Sequence, residues 1–170
     1  MNEVKIMPYS RQLAVAYATK WSLFRNPLYL DFSQIGGDCT NFVSQCLYAG
    51  SHIMNYNPIT GWYYRTPDDR TAAWTSVTFL YKYLTTHKGD GPFGNIVDLK
   101  EIKEGDVIQL EKDGVFYHSL LVTNTPSIPT IDNILISAHS FDSYNRVLSS
   151  YNFDSIRCIH INGVRKTLSN

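Results

Sequence analysis

A chain of 170 residues, 44% hydrophobic and 14% aromatic, has the apolar surface for one core and lies far from the depleted, charged composition of a disordered segment. Fifteen Lys and Arg balance fifteen Asp and Glu, so no net field recommends nucleic acid or an anionic membrane surface as partner, and recognition must be local. No window approaches the ~18 apolar residues of a spanning helix, and the opening MNEVKIMPYS has no apolar core of signal-peptide length, so neither a membrane span nor a standard leader is expected.

Taken in chain order, the first predicted element is an amphipathic helix over 10–24, with Ser10 as cap, Leu13, Ala16, Tyr17, Trp21 and Phe24 on one stripe, and Asn26–Pro27 as the stop. Cys39, Phe42, Val43, Cys46 and Leu47 follow the i, i+3, i+4, i+7, i+8 pattern, and Gly50 ends it, which predicts a short helix over 39–49 buried on one face. Residues 51–70 have no periodicity but hold Tyr56, Trp62, Tyr63 and Tyr64, reading as an ordered loop that walls a cleft or packs into a satellite core. A third helix is predicted over 71–84, with Trp74, Val77, Tyr81 and Leu84 inward.

The period then changes. GDVIQL (105–110), VFYHSLLVT (115–123), IDNILISAH (131–139) and SIRCIHI (155–161) are short β-branched or aromatic segments between turn formers. Helices first and strands later predict an α+β fold, helices packed on a mostly antiparallel sheet, in a single unit spanning 1–170.

Three cysteines leave at least one thiol unpaired within the chain, and no CxxC pair suggests structural zinc. Cys39 and Cys46 share a stripe, and the default for either is an inert buried thiol. What precedes them separates them. Gly36 and Gly37 permit a sharp turn and Asp38 is a good N-cap, which places Cys39 in the first helical turn. There the free amides and the helix dipole favour thiolate, and the same amides suit an oxyanion formed on attack at a carbonyl. Cys46, two turns on, has neither advantage.

Such a thiolate needs a base, usually histidine. His52, His87 and His160 sit in polar or terminal contexts and read as surface or satisfied core. His118 alternates onto the face of Phe116, Leu120 and Val122, the face expected to meet the helices; a hydrogen-bonded core histidine shows the same pattern. If its strand forms a hairpin with the next about a turn between Ile128 and Pro129, His139 lies directly opposite and orients the His118 ring, as the third member of a triad does. Asp132, Asn133 and Asp142 are the weaker candidates for that role.

The long run NPLYLDFSQIGGDCTNFVSQCLYAG, with GDVIQL, HSLLVT and ISAHSFD, resembles the bacterial putative amidase domain family, a branch of the papain-like cysteine hydrolases related to NlpC-type and CHAP-type cell-wall enzymes, over about Arg11 to Asp142. The resemblance implies a papain-like fold with Cys39 as nucleophile, His118 as base and His139 as the polar residue on the following strand. It implies Tyr29 as an oxyanion contributor, with Gln34 as the competing choice. AGS at 49–51 departs from the family's usual second glycine without touching these residues. Relatives cut amide bonds in peptidoglycan peptides, so a cysteine amidohydrolase acting on such peptides is expected, with no cofactor and as a monomer, in a cleft using Trp62 and Trp74. Without a leader the chain is expected to be cytoplasmic as made or to reach a wall by a non-standard route. Two readings compete: an idle papain-like module that binds wall or partner, and a metal site from Cys39, His118 and His139, which no short-range ligand pair supports.

Overall fold

A computed structural model describes residues 3–168; the first two residues of the opening segment lie outside it. Helix α1 (Arg11–Trp21) is capped by Ser10, whose Oγ accepts from the Leu13 amide, and it ends at Ser22 rather than continuing to Phe24. Helix α2 (Cys39–Ser51) runs past Gly50 and is closed by His52 in the left-handed conformation. Gly50 serves contact instead: a Cβ there would stand 2.8 Å from the Ser10 carbonyl, which is how α1 approaches so closely. Every residue from Cys39 to Leu47 is buried, not one face only, because α2 is enclosed by α1, the aromatic segment and the sheet.

The third predicted helix is two, α3 (Ala72–Thr75) and α4 (Val77–Thr86). Ser76 breaks the run with an extended backbone and turns its Oγ to the Phe79 amide, a local bond that competes with helix continuation.

The strands are β1 (Val4–Met7), β2 (Tyr64–Thr66), β3 (Asp69–Arg70), β4 (Gly91–Val97), β5 (Val107–Lys112), β6 (Val115–Asn124), β7 (Leu135–Ala138), β8 (Ser143–Val147) and β9 (Ser155–Thr167). Seven of them form one antiparallel sheet in the order β1-β9-β5-β6-β7-β8, with β4 also on β9; β2 and β3 make a separate hairpin. The architecture is therefore α+β with a mostly antiparallel sheet. β1, β4, β8 and the β2–β3 hairpin within the segment expected as a loop were not foreseen: β1 and β8 are edge strands without clean alternation, β2 and β3 are very short, and β4 opens with Gly91–Pro92, residues that read as a turn.

Two apolar clusters flank the sheet. Val107, Leu121 and Ile159 join the helices around Phe42, Leu47, Trp62 and Trp74. Ile108, Leu110, Leu120, Val122 and Ile136 form the second, covered by Ile102 and Leu148 from the turns at Leu99–Glu101 and Leu148–Ser150. Leu120 and Val122 thus point away from the helices, opposite to expectation. A β-bulge where Leu110 and Glu111 meet His118 and Phe116 also breaks the alternation, and Phe116 packs on Arg157 together with Tyr81 of α4.

Candidate functional site

Gly36 and Gly37, at φ 95° and 106°, close the turn that delivers Cys39 to the start of α2. A cleft of about 520 Å³ opens there, bordered by Gly36, Gly37, Cys39, Ser140 and Phe141 together with Tyr117, His118, Arg146, Tyr151 and Asn152. A thiol at a helix start and an imidazole on β6 thus border the same space, a set able to carry nucleophilic attack and proton transfer. A cavity of about 610 Å³ between residues 55–61 and α4 holds none of the residues singled out by the sequence.

Cys39 is 8% exposed, with Sγ 3.8 Å from Thr40 Oγ1. Burial pushes its thiol up and Asp38 adds to that, while the Ser119 and Thr40 amides and the Thr40 hydroxyl pull it back. Desolvation outweighs the helix start, so the thiolate preference expected from position alone does not hold in the free protein. Behind the thiol runs a buried polar chain: Thr40 Oγ1 lies 3.0 Å from Ser119 Oγ, Gln109 Nε2 donates to that same oxygen, and Arg157 Nε donates to Gln109 Oε1. Nothing in the sequence signalled this chain, whose members come from α2, β6, β5 and β9.

His118 is 6% exposed and has no hydrogen-bond partner among the described residues; its ring lies 5.6 Å from that of Tyr151. Burial, and then the positive charge of Arg146, lower its pKa from 6.5 to about 4. The unfolded chain takes up this proton as pH falls through 6.5 and the folded chain only near 4, so the neutral ring's stabilisation is complete above about pH 7 and is lost on the way down to 4. The drop corresponds to about 3 kcal/mol. His118→Gln is therefore expected to lose markedly less stability between pH 7 and 4 than the wild type, read as urea midpoints at each pH; parallel pH profiles would refute it.

Asp38 does not cap α2 with its side chain. Its backbone carbonyl begins the helix, accepting from Phe42, while its fully buried carboxylate turns back: Oδ1 accepts from the Phe32 amide (2.9 Å) and Asn41 Nδ2 (2.8 Å), Oδ2 meets His139 Nδ1 (2.5 Å), and Arg25 Nε stands 3.5 Å away. The Asp38 amide donates to Ser140 Oγ. The carboxylate is a hub that ties the glycine turn to the end of β7.

His139, 1% exposed, is fully engaged. Nε2 lies 2.8 Å from the Trp21 carbonyl, which can only accept, so that nitrogen donates; Nδ1 faces Asp38, and the ring stacks on Phe42. Neither nitrogen is left to orient His118. The register explains the difference: Leu121 pairs with Ser137 and Val122 with Ile136, one residue off the alignment that sets 118 across from 139. A one-residue slip sends a side chain to the other face of the sheet.

The remaining candidates scatter. Trp62 and Trp74 are 0% exposed, packed together at a tilt and donating to Ser44 Oγ and Asn41 Oδ1 respectively, so they are core and not cleft wall; large rings with a single donor are easily satisfied inside. Tyr29 stacks on Trp74 and packs at a tilt on Tyr64, outside the cleft lining, and Gln34 is exposed and also outside it. Asp142 pairs bidentately with Arg25, Asn133 caps its own turn, and neither they nor Asp132 border the cleft. Cys46 and Cys158 are buried free thiols, and among the described residues no three His, Cys, Asp or Glu cluster to hold a metal ion. No helix among them is long and apolar enough to cross a membrane.

Residues 8–162 match the family described as "Putative amidase domain". The chain is also 34% identical over 147 residues to the uncharacterized protein YhbB of Bacillus subtilis (strain 168), covering 83% of this chain and 44% of that protein, so it spans less than half the relative's length. No solved structure matches.

Proposed function

The chain belongs to this amidase domain family, and from that premise we propose that it is a cysteine-dependent amidohydrolase or peptidase, with Cys39 as nucleophile and His118 as its proton acceptor and donor. The observation that carries the reading is the convergence of Cys39, at the first position of α2, and His118, on β6, on one cleft although 79 residues separate them. The Cys39 backbone N–H has no acceptor among the described residues, so it is available to an oxyanion in that cleft.

The chemistry balances as follows. The Sγ proton passes to the neutral imidazole as sulfur bonds to the amide carbon, the carbonyl oxygen taking the electron pair. Collapse breaks the C–N bond, and the imidazolium returns the proton to the leaving amine. Water, deprotonated by the same ring, then cleaves the thioester to a carboxylic acid and the thiol. In the free protein both partners are held neutral, so the thiolate–imidazolium pair is a state that substrate must help to form.

His139 takes a positioning role, locking Asp38 and through it the start of α2. The proposed substrate class is the peptide portion of peptidoglycan, supported by the resemblance to cell-wall hydrolases and by a neutral fold that gives no footing to a polyanion. The test is to treat purified peptidoglycan and its soluble fragments with the protein in ¹⁸O-labelled water and to analyse products by mass spectrometry. A new amine with a new carboxylate carrying solvent oxygen is expected. Wall material bound by the folded protein and left uncut points instead to a binding module.

A further inference from the structure

We propose that Arg146 makes this cleft selective for substrates bearing a free carboxylate a few bonds from the scissile amide; the inference rests on the reading of Cys39 as nucleophile. Among the described residues, Arg146 is the one arginine or lysine bordering the cleft, and no Asp or Glu borders it. The nearest acids in sequence are committed elsewhere, Asp142 to Arg25 and Asp154 to Lys112 and the Asp113 amide.

The guanidinium is held, not swinging. Its Nε donates to Ser150 Oγ at 2.7 Å, one terminal nitrogen donates to the Ser150 carbonyl at 2.8 Å, and its carbon lies 3.8 Å over the Tyr151 ring. Two of the five N–H groups of an arginine are thereby used, leaving three with no acceptor among the described residues. A half-buried, oriented guanidinium with free donors and no paired acid is matched to a carboxylate, which it can take in a fork. Phe141, 89% exposed, also borders the cleft and offers an apolar face to the rest of the substrate.

Arg146 also acts on the chemistry. Its positive charge is one of the two causes that disfavour the charged form of His118. A carboxylate docked on Arg146 cancels that charge and so eases proton transfer from Cys39 when the right substrate is present. Substrate recognition and activation of the pair are in this way one event.

The probes are N-(iodoacetyl)glycine and N-(iodoacetyl)-β-alanine, each with its carboxamide, used to alkylate Cys39. Sulfur displaces iodide in every case, and rates are normalised to those of glutathione with the same reagents. In the wild type the acids are expected to label Cys39 about tenfold faster than the carboxamides, equivalent to about 1.4 kcal/mol of differential binding. Arg146→Gln should bring the ratio to one, Arg146→Lys should keep part of it, and the carboxamide rate reports whether the cleft is intact in each variant. An acid preference that persists in Arg146→Gln, or is absent from the wild type while Cys39 still reacts, overturns the carboxylate assignment and leaves the nucleophile standing. A Cys39 inert to all four reagents in folded protein overturns both.

Discussion

Replacing Cys39 with alanine abolishes amide cleavage under the proposed mechanism, with kcat falling by about 10⁴- to 10⁶-fold, because no other group can form the acyl intermediate once the sulfur is gone. The loss is chemical and not structural. The side chain is small, borders a cleft and makes only weak polar contacts, with the Thr40 hydroxyl and the Ser119 and Thr40 amides, so the thermal midpoint should move by no more than about 1 kcal/mol allows. Cys46→Ala and Cys158→Ala are the matched comparisons: both thiols are buried and neither borders the cleft, so each is expected to retain activity while losing some core packing. Single-turnover assays on peptidoglycan fragments decide the matter. Residual turnover of a tenth or more in Cys39→Ala would remove the thiol from the mechanism.

The largest effect on stability is expected at Asp38. Its carboxylate is 0% exposed and serves the Phe32 amide, Asn41 and His139, with the Arg25 guanidinium beside it. Asp38→Ala leaves those donors facing an apolar gap, and removing one partner of a buried polar cluster costs about 3–5 kcal/mol. For a chain of this size that corresponds to a fall of about 6–20 °C in the thermal midpoint. Function falls with it, since the same carboxylate holds the glycine turn to the end of β7 and thereby sets the cleft's near wall. Differential scanning calorimetry at neutral pH checks the first part. A midpoint within 2–3 °C of wild type (about 1 kcal/mol) would mean the hub is not what holds the start of α2.

His139 is the residue whose partner the strand register decides. The sequence set His139 across from His118 to orient that ring; the structure turns it instead to Asp38, whose side chain the sequence reads as a helix cap. The hairpin estimate needed the strand register to the residue, and a loop of ten residues between β6 and β7 leaves that register to side-chain packing and not to turn geometry. Arg25, Ser140 and Arg146 escaped notice for a related reason. Each lies at or beyond the end of a periodic segment, and its significance comes only from what folds against it.

The α+β class, the first helix, the helix that begins at Cys39 and the strands within 105–110, 115–123, 131–139 and 155–161 were legible in one dimension, because hydrophobic period and turn chemistry are local properties of the chain. Tertiary structure alone decided three things. It enclosed α2 on all sides, which turned Trp62 and Trp74 into core and set desolvation above the helix dipole at Cys39. It chose the register that sent His139 to Asp38. It also brought Arg146 to the rim of the cleft, beside His118. Burial, register and the field of a distant charge depend on which segments meet, and that information is spread over the whole fold.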